Sequence, residues 1–331
     1  MAEEKTGEKK LKNILLNGIK ILVTGGLLYV LVSQIDYDVL VEVLPRTDKG
    51  LMAAALGLFL LRNVISAWRW KILLAVKEIF MPLADLTRYY LIGNFFGFFV
   101  PTAVGGDIAR GFYLNKANSN TQESYSSVVV ERILGIAAMM LFALGVFPWG
   151  YGLIKDGVIR IIVIGPSAAF LVLMALFFLN NKMPEYASKT RIRIIEKIIR
   201  FFGSMQQYNQ KPMELLKGLG VSVIYQLGAI VTIYLLAQAI DERLPFTYYL
   251  MLMPAVWLVS LVPISLNGLG VREGIFVFLF TSVGMNNDAA VVISLLNLIL
   301  MILQGIVGSI FFLLDKKDPA AISSFREASK E

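Results

Sequence analysis

Residues 94–111 read N-F-F-G-F-F-V-P-T-A-V-G-G-D-I-A-R-G and decide the fold that we expect for the chain. The stretch mixes a proline, a glycine pair, an aspartate and an arginine with apolar residues, which a straight membrane-spanning helix does not need. Four residues recur at the same spacing 162 positions later: Val100, Pro101, Gly106 and Arg110 are matched by Val262, Pro263, Gly268 and Arg272. Because 162 is almost half of 331 residues, the blocks predict two related halves that share a functional centre.

The remaining sequence is that of a membrane protein. Hydrophobic residues make up 57% of the chain, the mean hydropathy is +0.69, and several apolar runs reach the ~20 residues that a spanning helix needs. Since helices satisfy their own backbone hydrogen bonds, we expect an all-α polytopic membrane protein. The predicted full spans are about 14–35, 51–76, 126–147, 158–180, 218–240 and 289–314. Two broken segments, 89–110 and 247–285, are expected as re-entrant hairpins, and 112–125 as a loop.

The predicted organisation is a single transmembrane domain, residues 14–314, between an N-terminal tail (1–13) and a polar C-terminal tail (315–331). Its half-repeats, about 14–180 and 218–314, are joined by the basic segment 181–217. Apolar and basic residues recur on different faces of that segment, which favours an amphipathic helix on the membrane surface. A solvated connecting helix is the alternative.

Positive charge sets the predicted orientation. Lysine and arginine are concentrated in the N-terminal tail, in residues 69–88 and in 181–217, which places these segments and both termini in the cytoplasm of a cell-membrane protein. Three predicted spans separate the broken segments, so one enters from the cytoplasm and the other from outside. This pattern is typical of an inverted-topology repeat whose broken helices meet near the midplane. If both segments cross instead, the number of spans rises to eight or ten.

Composition also excludes several kinds of chemistry. The net charge of +7 fits cytoplasmic loops on anionic lipid, so we expect no nucleic-acid partner. With no His and no Cys, the chain lacks the commonest general base, the commonest metal ligand and a thiol nucleophile, and we expect no metal, no cofactor and no enzyme activity. Nor does it contain the G-x-x-x-x-G-K-[ST] pattern of an ATP-binding loop.

The broken segments have the composition of an anion site. Pro101 and Pro263 end helices, and the glycines after them allow tight turns. The resulting half-helix N-termini present unpaired N–H groups to an anion such as phosphate, and Arg110 and Arg272 are placed to clamp it. The further contact and helix-breaking residues predicted around these turns are Asn94, Gly105, Gly106, Asn267, Gly268 and Gly270. The alternative is that proline and glycine only end helices and that the arginines anchor at the interface.

Acidic residues lie beside these arginines. Asp107 and Glu273 are expected to pair with them in the empty site or to carry a coupling proton, and Glu131 is a third candidate proton carrier. Glu131 and Arg132 open a predicted span and point about 100° apart, so they do not pair simply with one another. Arg132 is expected to contact the head group or to snorkel to the membrane surface.

One more arginine pair lies in the second predicted span. Arg62, Ser66 and Arg69 share a helix face, and a central arginine is costly in lipid, so Arg62 is expected to face protein or a wet cavity. Arg69, between Trp68 and Trp70, has the pattern of an interfacial anchor. Four amides are expected as hydrogen bonds between helices: Gln226, Gln238, Asn297 and Gln304.

Three motifs together resemble a known family. The stretch 94–111, V-V-V-E-R-I-L-G at 128–135 and P-I-S-L-N-G-L-G-V-R-E-G at 263–274 are similar to the flippase-like transmembrane domain of lysylphosphatidylglycerol synthases, over about residues 11–314. The resemblance implies a domain that moves anionic or aminoacylated lipids, or lipid-linked sugars, between leaflets. Family members often carry Gly-Glu at Gly106-Asp107 and Pro-Gly-Gly where this chain has Ser265-Leu266-Asn267. We expect no aminoacyl-transferase domain in this chain.

The sequence therefore predicts a lipid flippase or transporter. An anionic head group would bind near the midplane between the two broken segments, with membrane lipids as the partners and a homo-oligomer or another membrane protein as a further possibility. Two alternatives stay open at this point. One is an intramembrane enzyme that acts on a lipid phosphate, and the other is a lipid-binding scaffold that transports nothing.

Overall fold

The computed structural model of the protein describes Tyr29, residues 47–99, 104–150, 157–179 and 201–260, Ser265 and residues 268–314. Several predictions lie outside these residues: the first span (14–35), both tails, residues 181–200 of the basic segment, and the single positions Pro101, Pro263 and Asn267.

The described part of the chain is all-helical. Its α-helices are α1 (Lys49–Val76), α2 (Leu83–Phe99), α3 (Gly105–Asn118), α4 (Thr121–Gly150), α5 (Gly157–Leu179), α6 (Pro212–Ala239), α7 (Phe246–Ser260), α8 (Val271–Thr281) and α9 (Asn287–Leu314). Residues 201–206 are also helical, and a single 3₁₀ turn (Gln207–Gln210) precedes α6.

Among the described residues, four helices are long and apolar enough to cross a membrane: α1, α4, α6 and α9. At 1.5 Å per residue, a 28-residue helix such as α1 extends about 42 Å, more than the ~30 Å hydrocarbon core. The fifth long helix, α5, has 23 residues and covers the span predicted at 158–180. The protein is therefore a multi-pass α-helical membrane protein, as its sequence predicts.

Local sequence explains where the long helices begin. The Asp48 side chain accepts hydrogen bonds from the N–H groups of Gly50 (2.7 Å) and Leu51 (3.0 Å) at the start of α1, which is the usual role of an N-cap aspartate. Pro212 occupies the first turn of α6, where a missing N–H costs nothing. At α9, the Asn286 side chain accepts from the N–H of Asp288 at 2.8 Å.

Both predicted broken segments consist of two short helices. The first hairpin is α2 and α3, and the second hairpin is α7 and α8, with 17, 14, 15 and 11 residues respectively. None of these helices reaches the ~30 Å of a hydrocarbon core at 1.5 Å per residue. The helix breaks at the two related blocks are thus confirmed, whereas the inverted-topology relationship between the halves stays a prediction.

The equal spacing of the two blocks does not give equal helical positions. In the first hairpin, α3 already begins at Gly105, which places Arg110 in the second turn. In the second hairpin, α8 begins only at Val271, so that Arg272 lies in the first turn. Helix α8 starts late because Gly268 and Gly270 have positive φ angles of 75° and 80°, a conformation that glycine adopts without strain.

The predicted loop at 112–125 is wrong. Helix α3 continues to Asn118 and α4 begins at Thr121, so the connection is a single tight turn. Ser119 adopts a left-handed conformation (φ 55°) and its N–H donates to the Asn115 carbonyl at 2.7 Å, while the Asn120 side chain accepts from the N–H of Glu123 at 3.2 Å. The polar composition of these residues reflects helix ends rather than a long loop.

Glycines let the first hairpin pack closely. A Cβ at Gly93 would lie 2.9 Å from the Gly106 carbonyl oxygen and 2.7 Å from Cγ of Arg110. On the other side of α2, the Cα of Gly308 in α9 lies against the Leu91 carbonyl group. Helix α2 is therefore held between α3 and α9, and the Arg110 side chain lies in the contact between α2 and α3.

Buried side chains form separate clusters around the two hairpins. Phe59, Ile230, Tyr249 and Phe280 belong to a large cluster that packs the second hairpin against α1, α6 and α9. A smaller cluster, with Trp70, Leu86 and Tyr113, packs the first hairpin against α1 and α4.

Lys77 follows the last residue of α1 and joins that helix to the segment before α6. Its Nζ donates to the carbonyl oxygen (2.7 Å) and Oγ (3.0 Å) of Ser204 and to Oε1 of Gln207 (2.6 Å). It also lies 5.2 Å from the ring centroid of Tyr208. Burial lowers the pKa of Lys77 to about 8, although Glu123 acts in the opposite direction.

This shift predicts a pH dependence of stability. Between pH 8 and the ordinary lysine value of 10.5, the unfolded chain keeps a proton that the folded protein has released, so rising pH favours the folded state. Thermal unfolding in detergent micelles, followed from about pH 7 to pH 10.5, should therefore show a gain in stability that a Lys77→Met variant lacks. Parallel pH profiles for the two proteins would contradict the shift.

Candidate functional site

Three adjoining cavities lie where the two hairpins face each other. The first, of about 200 Å³, is lined by Asp107, Arg110 and Arg132. The second, of about 260 Å³, is lined by Arg62 and Arg272. The third, of about 420 Å³, is bordered by four arginines: Arg69, Arg110, Arg132 and Arg272. Tyr90 borders all three, and we refer to them together as the central cavities.

Arg110 is the most heavily paired arginine of the site. It is 6% exposed, its Nη1 donates to Oε2 of Glu131 at 2.9 Å, and its Nη2 pairs with Oδ1 of Asp107. The guanidinium also lies over the ring of Tyr90, 4.2 Å from its centroid. Arg110 is therefore held on α3 by an acid from its own helix, an acid from α4 and an aromatic ring from α2.

The two acids each bind a second arginine. The other oxygen of Asp107 pairs with Nη1 of Arg132, and Oε1 of Glu131 pairs with Nη2 of Arg69. The result is one continuous network that runs Arg69–Glu131–Arg110–Asp107–Arg132 across α1, α4 and α3. As expected from their positions on the helix, Glu131 and Arg132 bind different partners.

The prediction that Arg69 anchors at the membrane interface is wrong. Arg69 is only 5% exposed, binds Glu131 and donates from Nη1 to Oγ of Ser222 at 3.0 Å. Trp68 points outward and is 47% exposed, whereas Trp70 is fully buried. The two flanking tryptophans suggested an interfacial position. The helix face that Arg69 shares with Arg62 and Ser66 indicated its actual position inside the protein.

Arg132 also differs from the snorkelling alternative. Its guanidinium pairs with Asp107, although the side chain remains 39% exposed. It borders the cavities of about 200 and 420 Å³. This position would let Arg132 contact a ligand in either cavity, and its predicted contact with a lipid head group stays a prediction.

In the second hairpin, the acid occupies the place expected for a bound anion. Glu273 is almost fully buried and accepts at Oε2 from the N–H of Gly270, at 2.7 Å, at the start of α8. Its Oε1 pairs with the guanidinium of Arg272. The predicted pairing of Arg272 with Glu273 is thus present, and it also satisfies the helix end that was expected to face the ligand.

Arg62 has a different environment from the other arginines. Its guanidinium carbon lies 4.5 Å from the centroid of Tyr225 and 5.4 Å from that of Phe59. Its Nε has no hydrogen-bond partner, and no carboxylate of the described residues forms an ion pair with it. As expected, it faces a cavity, the one of about 260 Å³.

Amide side chains connect the hairpins to the long helices. Oδ1 of Asn63 accepts from Nδ2 of Asn94 at 2.8 Å and from Nε2 of Gln304. Asn94 and Gln304 border the cavities of about 200 and 260 Å³. The prediction of Gln304 as an interhelical hydrogen bond is confirmed, and so is that of Gln226, which donates to the Gly135 carbonyl at 3.1 Å.

Two of the four amides do something else. Gln238 donates to the Glu242 carbonyl, at 2.8 Å, beyond the end of its own helix, so its interhelical prediction is wrong. Asn297 borders the cavity of about 260 Å³. Asn63, Tyr90 and Tyr225 also contribute to the site and were missed by sequence analysis, because tyrosine and asparagine on apolar helices carry no distinctive motif.

The predicted glycines have unequal roles. Gly106 lies in the first turn of α3 and borders the cavity of about 200 Å³, while Gly105 is buried at the start of that helix. Gly268 packs against Ser260: a Cβ added to Gly268 would lie 3.2 Å from the carbonyl oxygen of Ser260. Gly270 precedes α8 and donates to Glu273. Among the glycines predicted as ligand contacts, only Gly106 therefore presents its backbone to a central cavity.

The site carries an excess of positive charge. We call its arginines the arginine cluster: Arg62, Arg69, Arg110, Arg132 and Arg272. Among the described residues that border the central cavities or pair with the cluster, the carboxylates are Asp107, Glu131 and Glu273. Five arginines against three carboxylates leave two positive charges, which an anion in a cavity would offset.

Comparisons with known proteins place this site in a family. The family model described as the lysylphosphatidylglycerol synthase TM region matches residues 17–308. The UPF0104 membrane protein PH1989 of Pyrococcus horikoshii is 24% identical over 305 residues, which is 84% of this chain and 90% of that protein. The UPF0104 membrane protein MJ1595 of Methanocaldococcus jannaschii is 24% identical over 327 residues, 91% of this chain and 95% of that protein.

No solved structure matches the chain significantly. The family match extends from before α1 into α9 and includes both hairpins and every member of the arginine cluster. The resemblance inferred from three short motifs is thereby confirmed. The chain belongs to the family defined by the transmembrane region of lysylphosphatidylglycerol synthases.

Proposed function

We propose that this protein moves an anionic lipid, or a lipid-linked anionic head group, from one leaflet of the cell membrane to the other. The observation that carries the proposal is the arginine cluster with its excess of two positive charges, enclosed among membrane-spanning helices and open to three cavities. Charge in the apolar part of a membrane protein is costly and usually serves a ligand or ion path.

The depth of the cluster supports a path between leaflets. Arg62 lies 13 residues from the start and 14 from the end of α1, so at 1.5 Å per residue it is about 20 Å from either end. Arg69 lies about 10 Å nearer the Val76 end of the same helix. A head group bound at Arg62 would therefore be near the midpoint between the two surfaces.

The ion pairs provide a mechanism of exchange. Glu273 pairs with Arg272, and a phosphate that arrives would compete with this carboxylate for the same donors. Such an exchange keeps the number of charge-assisted hydrogen bonds constant while the ligand moves. Glu273, once displaced, together with Asp107 and Glu131, is a candidate proton carrier that would couple movement to a proton gradient.

The hairpins supply the moving parts in this proposal. Each consists of two short helices around a break, and they contact the central cavities from different halves of the chain. In the proposed inverted repeat, the first hairpin enters from the cytoplasm and the second from outside, with both termini cytoplasmic. Rocking of the two halves about the cluster would expose it first to one leaflet and then to the other.

Arg272→Ala tests the proposal. The guanidinium of Arg272 pairs with Glu273 in its own helix and contacts the sulfur of Met301 in α9, so thermal unfolding of the variant is measured first to establish that it is folded. We expect the rate of transfer of a fluorescent phosphatidylglycerol in proteoliposomes to fall at least about tenfold, since a charged hydrogen bond is worth about 1.5–3 kcal/mol. The control is Arg243→Ala, whose side chain is 84% exposed. An unchanged rate in folded Arg272→Ala would exclude the proposed role of the cluster.

A further inference from the structure

We infer that the cavity of about 260 Å³, called here the Arg62 subsite, binds a phosphodiester whose head group carries hydroxyl groups and no amine. The inference rests on the proposed function, because it specifies the ligand of the same site. It assigns the anion contact to Arg62 first and to Arg272 second. Arg69, Arg110 and Arg132 then act as positioning residues that hold the first hairpin.

The division between the arginines follows from their partners. Arg69 and Arg110 share Glu131, and Arg110 and Arg132 share Asp107. These ion pairs connect α1, α3 and α4 and are partly or fully buried, so a ligand would have to disrupt the helix packing to use them. The guanidinium of Arg62, by contrast, faces Tyr225 and the cavity, and no carboxylate of the described residues forms an ion pair with it.

Position and size also favour Arg62 as the ligand contact. Arg62 lies near the middle of α1, and its stem packs beside Gly228 of α6, where a Cβ would lie at an ordinary contact distance of 3.5 Å from Cγ of Arg62. The volume of about 260 Å³ is just under the range of about 300–1,000 Å³ that is typical of small-molecule sites. One phosphate with a small head group therefore fits better than a long oligosaccharide.

The polar lining of the Arg62 subsite determines which head group it favours. The uncharged polar residues include Asn94, Asn297 and Gln304, whose amides both donate and accept hydrogen bonds. No carboxylate lines this cavity among the described residues. Hydroxyl groups can pair with the amides, whereas an ammonium group would meet two guanidinium groups and no countercharge.

Aromatic side chains complete the subsite. Tyr225 and Trp257 line the same cavity on α6 and α7. Their rings provide apolar surface for the carbon skeleton of a polyol or a sugar, while the amides bind its oxygens. The lining as a whole thus selects a neutral, hydroxylated head group on a single phosphodiester.

A binding measurement tests this inference separately from transport. Purified full-length protein in lipid nanodiscs is titrated with short-chain phosphatidylglycerol, phosphatidylinositol, phosphatidylethanolamine and lysyl-phosphatidylglycerol. We expect the first two to bind at least about tenfold more tightly than the two amine-bearing lipids. Arg62→Gln should weaken phosphatidylglycerol binding about 10- to 100-fold, as the loss of a charged hydrogen bond predicts. Arg62→Lys should restore part of it, and Arg243→Gln should match the wild type.

The outcomes distinguish this inference from the proposed function. Equal binding of lysyl-phosphatidylglycerol and phosphatidylglycerol would overturn the inference, and so would unchanged binding by Arg62→Gln. If Arg62→Gln unfolds, the lipid selectivity of the wild type alone decides. Selective, Arg62-dependent binding without any transfer between leaflets would support the Arg62 subsite and contradict the proposed flippase function. Transfer between leaflets without this selectivity would support the flippase function and contradict the subsite.

Discussion

Replacement of Glu131 by Gln is expected to destabilise the folded protein by about 3–5 kcal/mol, the usual cost of breaking a buried ion pair by removing one partner. Glu131 is 2% exposed and binds the guanidinium groups of both Arg69 and Arg110. Glutamine keeps the shape but leaves two buried arginines without their shared charge. Denaturation in detergent micelles, followed by circular dichroism or by accessibility of buried residues, measures the change.

Glu214→Gln is the matched control for this experiment. Glu214 also pairs with a basic residue, Lys217, at 2.7 Å, but that lysine side chain is 55% exposed. Its removal should cost less than about 1 kcal/mol because exposed ion pairs contribute little. A Glu131→Gln variant as stable as Glu214→Gln would show that the network does not hold the helices together.

Replacement of Gly308 by Val should be nearly as damaging, for a steric reason. A Cβ at this position of α9 would lie 2.8 Å from the carbonyl carbon of Leu91 and 3.0 Å from Cβ of Phe95. Because the neighbour is backbone rather than the end of a flexible side chain, α2 and α9 must separate. We expect a loss of about 2–3 kcal/mol, within the range for overpacked interiors, together with reduced lipid transfer.

Gly220→Val separates this clash from the general effect of valine in a helix. Gly220 lies within α6 and has open space where a Cβ would be. Helix propensity slightly favours valine over glycine, so stability should change by no more than about 0.5 kcal/mol. Similar losses in both variants would mean that the contact of α2 with α9 is not close-packed.

The two glycine contacts explain why the first hairpin can position a charged side chain in a membrane protein. Gly308 lets α9 approach one face of α2, and Gly93 lets α3 approach another. Arg110 then lies between α2 and α4, where Tyr90, Asp107 and Glu131 surround it. Close backbone packing by small residues is the usual way in which membrane helices associate.

The sequence was most informative where it departed from a plain apolar helix. Proline, paired glycines and charge at 94–111 and 263–274 indicated the two breaks, and the structure has short helices on both sides of each. The long spans followed from length and hydropathy alone. By contrast, the start of α8 could not be predicted, because the sequence does not show which glycine ends the turn, and in the structure both Gly268 and Gly270 have positive φ angles.

The ion-pair partners could be predicted only in part. Pairing of Arg110 with Asp107 and of Arg272 with Glu273 was expected because the residues are close in sequence. The bond from Glu131 to Arg69 joins residues 62 positions apart and depends on how α1 and α4 pack. Flanking tryptophans made Arg69 resemble an interfacial residue, although the buried Trp70 and the exposed Trp68 lie on different faces of the same helix.

The distribution of partners also changes which arginine is expected to bind the ligand. Sequence spacing favoured Arg110 together with Arg272 because their blocks are related. In the folded protein Arg110 is enclosed by two carboxylates, and Arg272 by one, whereas Arg62 faces a cavity without an ion-pair partner among the described residues. The cost of disrupting buried ion pairs makes Arg62 the more accessible cation.

Transfer of an anionic lipid by the purified wild-type protein tests the proposed function most directly. Liposomes that contain fluorescent phosphatidylglycerol in both leaflets are exposed to a membrane-impermeant quencher, with and without reconstituted protein and with an applied pH gradient. We predict that the protein makes the inner-leaflet lipid accessible to the quencher, and that folded Arg272→Ala does so at least about tenfold more slowly. Inner-leaflet fluorescence that stays protected in the presence of folded wild-type protein, at every pH gradient, would contradict a lipid-moving function.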